Sequence, residues 1–207
     1  MSNYIFDVDG TLLDSYGGIL ESVMDVIKLN NYNMNSKDAL DFILKYAVFD
    51  LFYKIEKETN IPFDKMLEEY KESRLRTQYN YSIMPNCIEM LNELKNNGAK
   101  LFIFTHKGEA INHIVENDFK GIFIDVIHAF GHDFKRKPSS YSIDYLVNKY
   151  NLDRNDTYYV GDRPIDIECA YNSNIKSIFY NEKNVDLKYK PTYVINDLIK
   201  IVDIEKK

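Results

Sequence analysis

Only two cysteines occur in this chain of 207 residues, Cys87 and Cys169. They lie far apart and lack the close spacing of a metal site, so the reading is two small buried thiols in a reducing compartment rather than a disulfide. No apolar run approaches the roughly 20 residues that cross a bilayer, so no membrane partner is expected. The opening Met-Ser-Asn-Tyr-Ile-Phe-Asp carries neither a basic stretch nor a long apolar segment. A signal peptide is therefore not expected, and a cytoplasmic location follows by default. Positive charge is in deficit: 26 Lys and Arg face 32 Asp and Glu, a net charge of −6. That balance argues against a nucleic-acid surface, which shows a basic patch or stripe. Internal repeats are absent.

What remains is ordinary for a globular chain, with 45% hydrophobic and 28% charged residues. The length suits one large domain, or a core domain carrying a smaller insertion. Short apolar runs rich in β-branched and aromatic residues predict strands at Tyr4–Phe6, Leu101–Phe104, Ile122–Ile127, Tyr158–Val160, Ser177–Tyr180 and Tyr193–Ile195. Segments with helical spacing lie between most of them. One opens at Met84-Pro85-Asn86 and ends at Asn96-Asn97-Gly98, and one follows Lys107-Gly108. Two more are predicted to begin at Pro138 and Pro164, since proline suits a first helical turn. Strands alternating with helices imply an α/β fold, a Rossmann-like parallel sheet flanked by helices on both faces.

From about Gly18 to Asn80 the pattern is helical only, with stripes at Ile19, Val23, Val26 and Ile27, at Leu40, Ile43 and Leu44, at Leu51, Phe52 and Ile55, and at Met66, Leu67 and Tyr70. An all-helical subdomain is thus predicted at 17–80, inserted in a core formed by 1–16 and 81–207, with Gly17-Gly18 and Tyr79–Pro85 as hinges. Asn30–Asn35 reads as an inter-helix loop, and Glu205-Lys206-Lys207 as a frayed end.

The first apolar run ends in Asp7-Val8-Asp9-Gly10. Residues two apart on a strand share a face. Both carboxylates would gather at the carboxyl-terminal tip, where open parallel sheets bind ligands. Like charges so close invite a cation, and the pair reads as half of a magnesium site. Asp-Gly is also a common turn pair, so this segment alone permits a plain polar turn. Other polar groups lie where later strands end: Thr105 before His106-Lys107-Gly108, Lys137 in Phe-Lys-Arg-Lys-Pro-Ser-Ser, and Gly161-Asp162-Arg163-Pro164-Ile165-Asp166. In a parallel sheet these tips converge on one pocket. The set suits a phosphate ester. A carboxylate approaching phosphate meets a repulsion of about 4 kcal/mol per charge pair at ~4 Å and an effective dielectric of ~20. Magnesium and Lys137 would offset it. Thr105 and the amides of the following helix start would hydrogen-bond phosphate oxygens.

Asp-Val-Asp-Gly-Thr-Leu-Leu-Asp-Ser, Phe-Thr-His-Lys, Arg-Lys-Pro and Gly-Asp-Arg-Pro-Ile-Asp-Ile, in that order, resemble the motifs of the haloacid dehalogenase-like hydrolases. The match is nearest the phosphoglycolate phosphatase-like and β-phosphoglucomutase-like branch, and it covers nearly the whole chain. The resemblance implies that Asp7 is the nucleophile, and that Asp9 is the general acid and then the base. It implies that Mg2+ is bound by Asp7, Asp162 and the backbone oxygen of Asp9, with Asp166 as a further ligand or a supporting partner. Thr105 and Lys137 would grip the phosphate. His106 would either line the pocket or fill the turn, and Arg136 and Arg163 would be structural or rim charges. The inserted helices would be the family's cap, with Lys45, beside Tyr46, as its candidate pocket-facing residue.

The substrate implied is a small phosphorylated metabolite, hydrolysed through an aspartyl-phosphate intermediate by a monomer or weak dimer. The alternative is a phosphomutase using the same intermediate, and a third reading is a non-catalytic binding module. Dehalogenation is disfavoured, because halide leaves without a proton and the family's dehalogenases lack an acid at the position of Asp9.

Overall fold

The computed structural model describes residues 2–129, 134–180 and 187–205. The chain divides into two compact units, Met1–Leu13 with Ile83–Lys207, and Asp14–Ser82. In the first unit six strands form one parallel sheet: β1 (Asn3–Phe6), β4 (Lys100–Thr105), β5 (Asp125–His128), β6 (Thr157–Gly161), β7 (Lys176–Tyr180) and β8 (Tyr193–Ile195). Their order is β5-β4-β1-β6-β7-β8. The α/β class expected from the sequence is therefore the one observed.

β1 sits in the middle. All four of its residues are buried, as a parallel strand covered on both faces requires. Phe6 is level with Ile103 of β4 and with Val160 of β6. After β1 the chain builds one half of the sheet outward through β4 and β5, and then the other half through β6, β7 and β8. The tips of β1, β4 and β6 thus lie side by side where the winding reverses, the place where such sheets bind ligands.

The period of two along β1 sorts the layers. Ile5 joins Phe102, Phe104 and Tyr159 in a buried cluster beneath α7 (Tyr141–Tyr150) and α8 (Pro164–Asn172), which contribute Ile143, Leu146, Cys169 and Ala170. Tyr4 and Phe6 point the other way, and the Tyr4 ring stacks on Tyr158 at 5.2 Å. Helix α5 (Cys87–Asn96) packs against β4 and α9 (Lys200–Glu205), while α6 (Ala110–Asp118) joins β4 to β5. Both cysteines are unpaired and buried. Burial pushes each thiol up to about 12, so neither ionises readily.

Three local expectations need correction. Helix α7 starts at Tyr141, three residues after Pro138, because Ser139 N–H closes a turn onto Arg136 O at 3.0 Å instead. The strand expected from Ile122 begins at Asp125, because Gly121 is left-handed (φ 72°) and Ile122 N–H folds back to Phe119 O. Gly17 and Gly18 lie inside helix α1 (Tyr16–Leu29) rather than in a loop. A Cβ on Gly18 would stand 2.7 Å from Thr77 O, so the missing side chain permits close packing there. The expected frayed tail at Lys206 and Lys207 lies outside the described residues.

The second unit holds α1, α2 (Ser36–Lys45), α3 (Val48–Thr59) and α4 (Phe63–Thr77). Asn35 caps α2 by accepting Asp38 N–H at 2.9 Å, which ends the Asn30–Asn35 loop. Val23, Val26, Ile43, Leu51, Phe52, Ile55 and Met66 form the shared core. Two-residue strands, β2 (Leu13–Asp14) and β3 (Ser82–Ile83), pair where the chain leaves one unit for the other and returns.

Phe52 is fully buried, with Tyr70 edge-on at 5.6 Å. Phe52→Ala is expected to destabilise the helical unit by about 3–5 kcal/mol, read from urea unfolding. A change below about 1 kcal/mol would show that this core is loosely packed.

Candidate active site

Asp7 is the first residue beyond β1, and its N–H continues the ladder to Val160 O at 2.9 Å. By the period of two it shares the face of Ile5. Its side chain is 1% exposed. The loop that follows is drawn tight by Val8, whose carbonyl accepts the N–H groups of Thr11, Leu12 and Leu13. Gly10 adopts φ 83° to make that turn, a conformation few other residues accept.

Lys137 arrives from the segment before α7 and is also buried. Its Nζ lies 2.8 Å from Asp7 Oδ1 and 2.7 Å from Asp166 Oδ1. The rings of Tyr159 and Phe104 flank the ammonium at 5.4 and 5.7 Å, and Tyr159 is fixed by donating its hydroxyl to Phe104 O at 2.7 Å. Asp166 stands in the first turn of α8, where its Oδ2 accepts Arg163 N–H at 3.0 Å. Gly161 makes room for it, since a methyl group on Gly161 would overlap the Asp166 side chain. Asp162 is held from the other side by Thr11, whose Oγ1 donates to Asp162 Oδ1 at 3.1 Å.

Oxygens of Asp7, Asp162 and Asp166 all lie within 4.8 Å of one another. Among the described residues, neither Asp7 oxygen has a partner in hydrogen-bond geometry. Lys137 and, at 3.6 Å, Arg163 Nη2 hold that carboxylate by charge. Burial pushes the Asp7 carboxyl above its ordinary value; Lys137 and Arg163 oppose this, and Asp166 adds to it. Burial also works against the Lys137 ammonium, but Asp166 and Asp7 outweigh it and raise its pKa. Among the described residues, the carboxylates of Asp7, Asp162 and Asp166 gather beside the cations of Lys137 and Arg163. Such a cluster of hard oxygen donors, with Asp7 and Asp166 buried, fits a divalent cation such as Mg2+.

Asp9 and Thr105 meet through a residue to which the sequence assigned no role. Lys107 Nζ donates to Asp9 Oδ1 at 2.7 Å, and Lys107 N–H donates to Thr105 Oγ1 at 3.1 Å. Thr105 is fully buried at the end of β4. His106 fills the turn and ties it to the lysine segment, with Nε2 2.8 Å from Lys137 N. A backbone N–H can only donate, so Nε2 accepts and the ring proton belongs on Nδ1. Arg136 Nη2, 3.2 Å from Nδ1, is then a neighbouring charge rather than a donor to the ring. Burial first, and then the charges of Lys137, Arg136 and Arg163, hold the His106 pKa well below its ordinary 6.5.

The core candidates from the sequence therefore form two groups. Asp7, Asp162, Asp166 and Lys137 are one, with His106 behind Lys137; Asp9 and Thr105, joined by Lys107, are the other. Arg163, expected as a structural or rim charge, lies with Nη2 3.6 Å from Asp7 Oδ2. Its side chain is 12% exposed, which fits the structural alternative better than the rim. Nothing in the sequence separates it from a surface arginine except its place beside Asp162. Lys45 ends α2 in the helical unit, exposed, with Nζ 5.3 Å from the Tyr46 ring centroid.

Residues 4–180 match the haloacid dehalogenase-like hydrolases, and the chain belongs to that family. It is 27% identical to pyrophosphatase PpaX of Oceanobacillus iheyensis, over 97% of this chain and 94% of that protein. It is 22% identical to a phosphoglycolate phosphatase of Vibrio vulnificus, over 96% of this chain and 93% of that one. A haloacid dehalogenase-like hydrolase from Streptococcus pneumoniae shares the fold with a TM-score of 0.84 at 17% identity, over 99% of this chain and 98% of that chain. The family expected from the four motifs is thus the one found, and the protein is an enzyme of its hydrolase class.

A histidine that stays neutral when folded but protonates near pH 6.5 when unfolded destabilises the fold in acid. Its contribution is complete above pH 6.5 and is lost as pH falls toward the depressed folded value. The penalty approaches about 1.4 kcal/mol per pH unit below 6.5. His106→Asn, whose amide oxygen can still accept Lys137 N–H, is expected to lose about 1 kcal/mol less stability than the parent between pH 7.5 and 5.5. Equal losses in urea titrations at the two pH values would contradict a neutral, buried His106.

Proposed function

We propose that the protein is a magnesium-dependent phosphatase that releases phosphate from a small phosphorylated metabolite through an aspartyl-phosphate on Asp7. The observation that carries this reading is the Asp7 carboxylate, buried, 2.8 Å from the Lys137 ammonium and 3.6 Å from Arg163 Nη2. Such an oxygen is poised to attack, and the same cations draw a phosphate dianion toward it. Asp7 Oδ attacks phosphorus as the bond to the leaving oxygen breaks. Asp9 gives that oxygen its proton. Asp9 then takes a proton from the water that attacks the aspartyl-phosphate, and Asp7 is regenerated. Lys137 and the Thr105 hydroxyl hold the phosphate oxygens. Asp7, Asp162 and Asp166, with the Asp9 carbonyl, would bind Mg2+, whose charge offsets the repulsion between phosphate and carboxylates.

A proton donor in the position of Asp9 favours an alkoxide leaving group over halide. The names of the relatives bring pyrophosphate and phosphoglycolate as candidate substrates, both small. On the same reading the enzyme is a cytoplasmic monomer or weak dimer, and residues 17–80 are its cap, with Lys45 recognising the leaving group.

A panel of phosphorylated metabolites and p-nitrophenyl phosphate, assayed with magnesium and with a chelator, tests the proposal. Free phosphate should appear only with the metal. Asp7→Asn should lower kcat by at least about 1,000-fold. An Asp7→Asn variant as active as the parent would sink the nucleophile assignment, and isomerised sugar phosphate in place of free phosphate would point to the mutase.

A further inference from the structure

Lys107 carries a buried charge that the proposed reaction does not use. Lysine is almost never fully buried unless paired. The Lys107 side chain is 3% exposed, and its Nζ lies 2.7 Å from Asp9 Oδ1, on a carboxylate 16% exposed. The two residues are 98 apart in sequence. Lys107 belongs to the turn after β4, and Thr105 pins its backbone there by accepting its N–H at 3.1 Å. Asp9 belongs to the loop after β1, where it bridges to Leu13. One residue thus spans the two strand tips, with its main chain anchored on Thr105 and its ammonium on Asp9.

We infer that Lys107 is a positioning residue, which sets the Asp9 carboxylate in the orientation needed to move a proton to and from the reacting oxygen. The inference rests on the proposed phosphatase reaction. A short carboxylate has two torsions, and a buried ammonium at 2.7 Å restrains both. Proton transfer needs heavy atoms about 2.6–3.2 Å apart, so a misplaced carboxylate loses its contribution. Any substitution of Lys107 except proline keeps the N–H that binds Thr105. The side chain can therefore be removed with the phosphate-gripping hydroxyl left in place.

The test compares p-nitrophenyl phosphate, whose leaving group departs with little help, with phenyl phosphate, whose more basic leaving group needs a proton. Lys107→Met is expected to lower kcat on phenyl phosphate by about tenfold or more and on p-nitrophenyl phosphate by less than about threefold, with KM little changed. Lys107→Arg should recover part of the loss. Placed on Asp9→Asn, Lys107→Met should cost less than about twofold more, since its target is already gone. Equal losses on the two esters, or full additivity with Asp9→Asn, would overturn the proposal. A crystal structure of Lys107→Met gives a readout independent of turnover. Displacement of the Asp9 side chain with Asp7 in place supports the positioning role, and an unmoved Asp9 overturns it. A parent protein that hydrolyses neither ester tells against the phosphatase reading, and the position of Asp9 in that crystal still decides the role of Lys107.

Discussion

The ammonium of Lys137 between Asp7 and Asp166 is the contact on which the rest of the site depends. All three side chains are at most 1% exposed. Removing one member of a buried ion pair costs about 3–5 kcal/mol, because the other charge is left in a medium that cannot solvate it. The triad therefore locks three segments together: the end of β1, the segment before α7, and the first turn of α8. Smaller features serve it. Gly161 leaves space for Asp166, Arg163 N–H holds the second oxygen of that carboxylate, and the rings of Phe104 and Tyr159 shape the hole around the ammonium. His106 fixes the lysine segment from behind, through Lys137 N–H.

This arrangement is poor economy for stability alone. Well-packed apolar residues usually serve a core as well as a buried ion cluster does. Asp7 is the sharpest case, a carboxylate 1% exposed whose pKa burial pushes above its ordinary value. Buried groups so disturbed gather where chemistry is done. Asp9 differs. It is more exposed, and it pairs with Lys107 rather than Lys137. Two like carboxylates, two residues apart, thus acquire different partners and different electrostatics. That separation is what a nucleophile and a proton carrier require of one short loop.

Much of this is legible in the sequence. The strands stand out because central parallel strands are buried on both faces and read as unbroken apolar runs, as Tyr4–Phe6 and Tyr158–Val160 do. Asp7, Asp162 and Asp166 were legible because each follows such a run or opens the next helix, and topology then brings strand tips together. Element starts were less so. Pro138 suits a helix start, yet a turn closed by Ser139 delays α7 to Tyr141. Gly17-Gly18 suggests a hinge, yet both glycines lie inside α1, Gly18 packed closely against Thr77 O and Gly17 exposed. Long-range pairing was the least visible. Lys107 and Arg163 look like surface cations in a sequence, and only the fold brings them to Asp9 and Asp7. The role of Thr11 as the donor to Asp162, 151 residues away, was hidden for the same reason.

The central claim is that the Asp7 carboxylate forms a covalent bond to phosphorus. Borohydride reduces an acyl phosphate to an alcohol and leaves an ordinary carboxylate alone. Reducing the enzyme during turnover with magnesium, and then sequencing its peptides by mass spectrometry, reads the claim directly. The account predicts homoserine at position 7 and at no other aspartate. Unmodified Asp7 under active turnover, or homoserine at Asp9 or Asp162 instead, would contradict it.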